Sequence, residues 1–577
     1  MNNMLVKYRR LFYLRFSDKM EIIKIVILKI VIGIIRFNSY LTVKFSFVLL
    51  KLYSKRKESF KAIVIFENLL KKYNKKFSAG EYLFISKIYR VITEYRKADY
   101  YNNKYLEAQK DRLEKNKYYL SLQYSWAMFA RAYRMHFLED KQIERNIKHA
   151  PSWFNVSSLY MTSSLDKNKK NAGFFMRLTH SHLFYAHELK MKGDFTGAIS
   201  IIKNILTAIG GVLSDNFIIN IIKTIENNIS EVRPEHSLQD ELIEQVKHCE
   251  AGYLSSMAWL NIYNILIFNG LLLSGLAARN MAIKQAYYDA DLNNTNKKKV
   301  KRAILAALDR KDFLKAENYI NQYKAISGKN SAAKMEAYFN LLTGDIQKAR
   351  RLWTNNFTQA DFSFADYFDD KTVAIVGPAP NGINSGMEID SFDIVIRFNY
   401  MGAQSSCNVM EFGTKTNVSL YASNFMKFSL REYQTFLEDL DFYIVKYKFP
   451  EFVLADLDKG RAKLLIKNNY MFYKKPNALQ CVLFDILHYK PKKIKVFKSN
   501  FFLSETPYAT NYRGLDFNNT KSKLPDPLTL FVYHDLISQL SFVHCLWKQG
   551  LIEVDKNCEE ILKLSEEEYM QGMGKLV

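Results

Sequence analysis

The chain has 577 residues, 48% of them hydrophobic, and its 83 Lys and Arg residues against 58 Asp and Glu residues give a formal net charge of +25. This length exceeds what one hydrophobic core serves, and the apolar content excludes a mostly disordered chain, so we expect two or three domains. The excess of basic residues predicts an anionic partner, for which nucleic acid, anionic lipid and a charged sugar nucleotide or glycan all qualify.

Residues 1–57 form a segment that is both basic and apolar. Its most hydrophobic run, Ile22 to Ile35, is interrupted by Lys24 and Lys29, which argues against a transmembrane helix. A secretory signal peptide is also a poor fit, because no small-residue cleavage site follows the run. We expect a helix that lies on an anionic membrane surface with its lysines reaching outward. The alternative is the first core helix of the next domain.

Residues 58–360 are predicted to be helical almost throughout. A short pattern recurs in which a turn and an Asp or Ser precede a hydrophobic residue and a small Ala, at Ala62, Ala198, Ala316 and Ala349. The last two alanines are 33 residues apart, a spacing similar to that of tetratricopeptide repeats. Such an array would offer a concave surface to a protein partner. An irregular helical domain is the alternative.

One stretch of this region, residues 251–278, is uncharged and long enough to cross a bilayer. Asn261, Asn264 and Asn269 recur through it and would be costly in lipid. We therefore expect buried helices of the repeat domain instead of a membrane span.

Residues 361–577 are predicted to form an α/β domain. The apolar run Val373 to Val376 predicts a strand that ends at Gly377, and the loop to Gly386 is rich in small and turn-forming residues. Backbone N–H groups of such a loop can approach an anionic ligand closely. A second strand then leads to Arg397 and Asn399, so we expect a ligand site beyond the carboxyl ends of these strands.

These residues resemble the large sialyl motif of the animal and plant sialyltransferase family, in order and in spacing across about 45 residues. The matching residues are Val376-Gly377, Ile389-Asp-Ser391, Asp393, Arg397, Asn399 and Gly413-Thr-Lys-Thr416. The sequence departs from the family at Pro378, where the family has a donor-binding Asn, and we expect Asn381 to take over that contact.

Two later segments follow the order of the family with weaker matches. Lys475-Pro-Asn477, before an apolar run, resembles the turn of the small sialyl motif, although the Ser and Gly of that motif are missing. Tyr533-His534-Asp535 resembles the very small motif, whose His acts as the general base on the acceptor hydroxyl. Histidine suits this role because its ordinary pKa lies near neutral pH.

The repeated pattern predicts an all-α helical repeat region, similar to tetratricopeptide repeats, and the sialyl resemblance implies an α/β Rossmann-like glycosyltransferase domain after it, so we expect a multidomain protein. The implied reaction transfers sialic acid or a Kdo-like sugar from a CMP-sugar donor to a glycan of a bacterial cell surface, as in capsule or lipopolysaccharide synthesis. It would take place on the cytoplasmic face of the inner membrane, without a cofactor, a metal ion or nucleic acid. Asp456-Leu-Asp458 has the form of a metal-binding D-x-D but lies outside the motif order.

The residues expected to act in this reaction fall into two groups. His534 is the expected catalytic base, with Asp535 and His488 as the next candidates. The expected donor-binding residues are Gly377, Asn381, Ser385, Arg397, Asn399, Lys415 and Asn477.

Several structural alternatives stay open. Asp390 and Asp393 are predicted to hold turns and the start of the second strand. Arg397 could be a buried residue of a structural ion pair. His534 could be a helix-cap or core histidine. The whole chain could be a non-catalytic repeat scaffold whose degenerate transferase domain binds a glycan or a protein.

The five cysteines are odd in number, widely spaced and mostly within apolar runs, which predicts buried thiols in a reducing compartment. In the animal enzymes a disulfide joins the large motif to the small motif. The corresponding positions here are Val373 and about His488, and neither is a cysteine.

Overall fold

The structure, a computed structural model, describes residues 46–50, 59–73, 77–91, 95–108, 182–183, 186, 189–190, 193–209, 215–229, 236–402, 408–421, 436–445, 460–465, 470–474, 476–505, 508–509, 531 and 534–576. The chain divides into two compact units, residues 1–169 and 170–577. The predicted membrane-surface segment lies largely outside the described residues, as does Asp456-Leu-Asp458. The predicted domain boundary at residue 360 falls inside the second unit.

In its described residues, the first unit has three helices of 13 to 15 residues around an aromatic core. They are α1 (Ser59–Tyr73), α2 (Ala79–Val91) and α3 (Tyr95–Ala108). Tyr89 stacks on Tyr101 with ring centroids 5.5 Å apart, and Phe66 meets Tyr101 edge to face at 5.3 Å. Helices of this length are marginal in isolation, so the buried aromatic contacts supply much of their stability.

The second unit begins with a succession of described helices. They are α4 (Phe195–Ile209), α5 (Asp215–Ile229), α6 (His236–His248), α7 (Ser256–Phe268), α8 (Leu272–Leu292), α9 (Lys297–Asp309), α10 (Phe313–Ile326), α11 (Lys329–Leu342) and α12 (Ile346–Thr354). Neighbouring helices in this order, such as α7 with α8 and α9 with α10, pack against each other.

The sequence pattern that contains these alanines corresponds to one kind of turn, which leads into a helix. A left-handed residue precedes an Asp whose carboxylate accepts a hydrogen bond from an N–H of the first turn, as N-cap residues do. The left-handed residues are Gly193, Lys311 and Gly344, and the acceptors are Asp194, Asp312 and Asp345. The small alanines of the pattern are buried, including Ala62, whose preceding turn lies outside the described residues. The predicted turns are therefore confirmed at three of the four places.

The uncharged stretch 251–278 forms parts of two helices instead of one span. α7 ends at Phe268, and Gly270 adopts a left-handed conformation (φ +81°) before α8 begins. Asn261 and Asn264 are buried inside the protein, as expected. Within the described ranges, no helix has both the length and the apolar character needed to cross a membrane.

The described residues of the C-terminal part include a parallel sheet of seven strands. They are β1 (Thr372–Val376), β2 (Ile394–Phe398), β3 (Val418–Tyr421), β4 (Phe442–Val445), β5 (Ala462–Leu464), β6 (Lys493–Phe497) and β7 (Glu553–Val554). Their order in the sheet is β5-β4-β3-β2-β1-β6-β7. The central strands are apolar on both faces, as strands covered by helices on both sides must be.

The remaining helices connect or flank these strands. They are α13 (Gln359–Phe368), α14 (Gly386–Asp390), α15 (Val409–Phe412), α16 (Ala478–Ile486), α17 (Leu536–Lys548), α18 (Lys556–Leu562) and α19 (Glu566–Gly574). A 3₁₀ turn, Leu487–Tyr489, extends α16. Apolar residues of α14 and α15, Ile389 and Phe412, pack with Ala374 and Val395 of the sheet in one hydrophobic cluster.

The direction of the strand connections decides which face each helix covers. The chain moves from β1 to β5 in one direction and then crosses back to β6 on the other side of β1. Because such connections are right-handed, α16 and α17 lie on the face opposite α14 and α15. The helical region packs on this domain through α8 against α19 and through α9 and α11 against α17. The predicted combination of a helical region and an α/β domain is confirmed.

Candidate functional site

The strand order reverses at β1, since β2 and β6 lie on opposite sides of it. The connections that leave the carboxyl ends of β1 and β6 therefore diverge and open a crevice, the usual ligand site of an open parallel sheet. The loop that begins at Gly377 leaves β1 at this point, and Lys498 directly follows β6.

Gly377 is required at this place by the approach of two backbone segments. Its N–H donates to the carbonyl of Phe497 at 2.8 Å, and the N–H of Ala379 donates to the carbonyl of Lys498 at 3.1 Å. A Cβ atom on Gly377 would lie only 2.3 Å from the Lys498 carbonyl oxygen. The absence of a side chain thus lets β1 and β6 continue in contact beyond their ends, and the space beside Gly377 is filled by protein.

Further along the same loop, two backbone N–H groups converge on one carboxylate. The N–H groups of Asn381 and Gly382 donate to Glu411 Oε1 at 2.7 and 2.9 Å. The ammonium of Lys498 is 3.1 Å from the same oxygen and also donates to the carbonyl of Ile383 at 2.6 Å and to Asn381 Oδ1. Two neighbouring N–H groups and a cation form an anion site, and an internal carboxylate occupies it.

The electrostatics of this site favour a charged carboxylate. Burial alone would raise the pKa of Glu411, but the N–H groups of Asn381 and Gly382 and the Lys498 ammonium together hold it below its usual value. Burial lowers the pKa of Lys498, against the opposing effect of the Glu411 contact. Glu411 and Lys498 therefore form a buried ion pair beside the loop that follows Gly377.

Asp555, at the N-terminus of α18, holds the other side of this network. Its Oδ2 accepts from the N–H of Lys498 at 2.7 Å and from Asn381 Nδ2 at 3.4 Å, and its Oδ1 accepts from the N–H of Cys558 at 2.8 Å. Asp555 directly follows β7, so three strand ends contribute to one hydrogen-bonded cluster. We call Asn381, Glu411, Lys498 and Asp555 the crevice network.

Left-handed residues other than glycine gather at this edge of the sheet. They are Asn399 after β2 (φ 53°) and Lys498, Phe501 and Phe502 after β6 (φ 57°, 48° and 68°). Such conformations cost about 1 kcal/mol or more each and tend to collect at functional sites. Asn399 also donates its N–H to the carbonyl of Leu420 at 2.9 Å, and Ser385 is buried at the start of α14.

Arg397 and Lys415 take structural roles. The Arg397 guanidinium donates to the carbonyls of Phe412 and Lys415 at 2.6 and 3.1 Å and to Thr416 Oγ1 at 3.0 Å. The Lys415 ammonium donates to the carbonyl of Phe392, which precedes β2. Lys415 therefore lies near the amino ends of the strands, away from the crevice, and we no longer assign it or Arg397 to donor binding.

The acidic residues of the same motif also have structural partners, as predicted. Asp390 accepts from the N–H groups of Thr414 and Lys415 at 2.9 Å each, which holds the turn at Gly413. Asp393 accepts from the N–H and hydroxyl of Thr372 at 2.8 Å, which ties the starts of β1 and β2 together.

Asn477 and His534 precede two neighbouring helices that begin at the carboxyl edge of the sheet. α16 and α17 each lead into the amino end of a parallel strand, β6 and β7, so their own N-termini lie at the opposite edge. Gln480 Nε2 donates to the carbonyl of Gln539 at 3.4 Å and joins their first turns. Asn477 is the N-cap of α16, and its side chain accepts from the N–H of Gln480. His534, half-buried, lies one residue before Asp535, the N-cap of α17.

The two alternative bases are unsuitable because both are buried and engaged. Asp535 is 1% exposed and forms an ion pair with Arg279. His488 packs on Trp353, its Nδ1 contacts the carbonyl of Phe484, and burial lowers its pKa to about 3. We therefore discard Asp535 and His488 as candidate bases.

Other sequence predictions concern thiols and metal ligands. The four described cysteines, Cys249, Cys481, Cys545 and Cys558, are thiols, and the last three are buried as expected. Across the part of the chain that the structure describes, no group of three or more His, Cys, Asp or Glu side chains is arranged to hold a metal ion. Lys475 and Tyr533 lie outside the described residues.

Sequence reasoning missed three members of the crevice network. Lys498 and Asp555 each directly follow a strand, as Asn399 does, and this position after β6 and β7 was an available signal. Glu411 gave none, because α15 has only four residues and its place beside the loop depends on the tertiary fold.

The sequence matches no protein-family model, and it has no significant match among curated proteins. The resemblance to the sialyl motifs therefore rests on the residues quoted above.

Proposed function

We propose that the protein is a glycosyltransferase that uses a CMP-activated acidic sugar, such as sialic acid or a Kdo-like sugar, and transfers it to a cell-surface glycan. The observation that carries this proposal is the anion site at the reversal of strand order. The loop that resembles the large sialyl motif begins there, and its Asn381 and Gly382 N–H groups converge with the Lys498 ammonium on one anion.

In the proposed reaction the donor phosphate takes the place of the Glu411 carboxylate. The Asn381 and Gly382 N–H groups and the Lys498 ammonium then stabilise the negative charge that develops on the departing CMP. Asn399, at the neighbouring strand end, is a donor-binding residue. His534 accepts the proton of the acceptor hydroxyl while that oxygen bonds to the anomeric carbon and the bond from carbon to the CMP oxygen breaks.

A non-catalytic scaffold is the second candidate function, and one observation favours it. The crevice network satisfies its own members, since Glu411 already occupies the two N–H groups and the ammonium. In a scaffold this closed arrangement would be permanent, and CMP would not compete with Glu411.

Three further proposals concern the rest of the chain. We propose that the helix pairs are degenerate tetratricopeptide repeats that offer a surface to a protein partner. We also propose that residues 1–57 bind an anionic membrane surface, at the cytoplasmic face of a bacterial inner membrane. The proposed reaction belongs to the synthesis of a capsule or lipopolysaccharide.

The transferase and the scaffold are distinguished by donor hydrolysis. The full-length protein is incubated with a panel of CMP-sugars without acceptor, and the release of CMP is followed. A transferase should release CMP slowly from its own donor, because water replaces the acceptor in part of the encounters. The absence of both CMP binding and CMP release over the whole panel would leave the scaffold as the better explanation.

The role of His534 is tested with the donor found in this way. His534→Gln should lower the rate of transfer by about 10²- to 10⁴-fold with little change in donor affinity, because a general base acts on the acceptor proton. His248→Gln is the control, since His248 is an exposed residue of α6. Near-normal turnover of His534→Gln at saturating donor and acceptor would make His534 a structural residue.

A further inference from the structure

A fully buried arginine joins the helical region to the N-terminus of α17. Arg279 of α8 is 0% exposed, and its Nη2 is 2.7 Å from Asp309 Oδ2 and 3.0 Å from Asp535 Oδ2. The hydroxyl of Ser538 donates to Asp535 Oδ2 at 2.8 Å and also contacts Asp309. Asp535, the residue directly after His534, is thus held by α8, and Asp309, the last residue of α9, contacts both Arg279 and Ser538.

A second contact from the helical region reaches the other side of His534. Asn264 of α7 accepts at 2.7 Å from the ammonium of Lys474, and Lys474 in turn donates to the carbonyl of Phe531. The Asn264 amide also donates to the Tyr473 hydroxyl. The backbone is therefore held three residues before His534 and one residue after it, in both cases through a side chain of α7 or α8.

We propose that Arg279 is a positioning residue for His534. This inference rests on the proposed role of His534 as the base. Arg279 is enclosed within the protein and acts through Asp535, whose carboxylate it holds and whose backbone continues from His534. The helical region from α7 onward is consequently part of the support of the active site and is not a separable docking module.

The geometry of the guanidinium makes the proposal testable with a charge-conserving substitution. Arg279 uses Nε and Nη2 to contact Asp535 while Nη2 also contacts Asp309. A lysine keeps the positive charge but is a single flexible donor point, so it cannot hold both carboxylates in the same planar arrangement. Misplacement of a catalytic group by about 1 Å can lower a rate by about 100-fold.

Arg279→Lys should therefore lower turnover by about 10- to 100-fold while the donor dissociation constant changes less than about twofold. The matched control is Lys463→Arg. Lys463 is also a buried cation between two buried carboxylates, Asp361 at 2.7 Å and Asp485 at 2.8 Å, but it lies on the edge strand β5. The two variants are compared with the wild-type protein at temperatures equally far below their own Tm values, so that a general loss of stability affects both.

A second measurement does not depend on activity. His534 is carbethoxylated with diethyl pyrocarbonate, and its rate of modification is followed by peptide mass spectrometry, with exposed His248 as the internal standard. Arg279→Lys should change the rate at His534 at least threefold and leave the rate at His248 unchanged, whereas Lys463→Arg should change neither.

The outcomes distinguish a failure of the proposed transferase function from a failure of the positioning role of Arg279. If the wild-type protein turns over no CMP-sugar, the proposed function fails, and the carbethoxylation rates still decide whether Arg279 positions His534. Equal losses of turnover in Arg279→Lys and Lys463→Arg, or an unchanged rate of His534 modification in Arg279→Lys, would overturn the positioning role.

Discussion

Replacement of Glu411 by glutamine should strengthen the binding of CMP. Glu411 Oε1 accepts from two backbone N–H groups and pairs with Lys498 at 3.1 Å, in the place where we expect the donor phosphate. Glutamine has nearly the same shape, and its amide oxygen can still accept from both N–H groups. The loop conformation is therefore kept while one negative charge is removed.

The size of the effect follows from the charges that meet at this site. A phosphate about 4 Å from the carboxylate would be repelled by about 4 kcal/mol at the effective dielectric of a partly buried protein site. The carboxylate can relieve part of this repulsion by moving aside, and in the Glu411→Gln variant the side-chain amide still has to be displaced. We therefore expect a gain of about 1.4 to 3 kcal/mol, which corresponds to roughly 10- to 100-fold tighter binding.

Isothermal titration calorimetry of the full-length protein with CMP measures this gain. Glu388→Gln is the matched control, because it removes the same charge from the neighbouring helix α14, where the carboxylate pairs with Lys495 at the surface. Its CMP affinity should change by less than about twofold, since exposed charges are screened by salt. Unchanged or weaker CMP binding in Glu411→Gln would refute the assignment of this site to the donor phosphate.

Two further predictions concern stability. Because burial lowers the pKa of His488 to about 3, the unfolded chain takes up a proton below pH 6.5 that the folded protein does not, so stability falls as the pH is lowered from 6.5 towards 3. His488→Phe should reduce the loss of unfolding free energy between pH 7.5 and pH 5 by about 2 kcal/mol in urea denaturation, and an unchanged loss would contradict the buried neutral histidine. Gly377→Ala should lower the stability by at least about 2 kcal/mol, because its Cβ would meet the Lys498 carbonyl at 2.3 Å. Gly382→Ala, a left-handed residue with nothing within 4 Å of the added Cβ, should cost only about 1 kcal/mol, and equal losses in the two variants would count against the close backbone contact.

Local chemistry decided many features that the sequence predicted correctly. The apolar run before Gly377 could only be a buried strand that turns at its end, because four adjacent apolar residues need cover on both faces. The recurrent Asp before a hydrophobic residue caps a helix wherever it is described, since its carboxylate reaches the N–H groups of the first turn. Asn261 and Asn264 likewise argued against a membrane span, because burying their amides in lipid is costly.

Tertiary structure decided which of these residues meet. The sequence brings Arg397 and Lys415 into one motif, but the parallel sheet places the turn at Lys415 before β3 and the crevice after β1 and β6, at opposite edges. Glu411 enters the anion site only because α15 packs beside the loop, and Arg279 reaches Asp535 across 256 residues of sequence. Spacing along the chain carries no information about such contacts, because they depend on the order of the strands and on the packing of the helices over them. The sequence by itself determined the strands, turns and helix caps, whereas the tertiary structure alone determined the composition of the site.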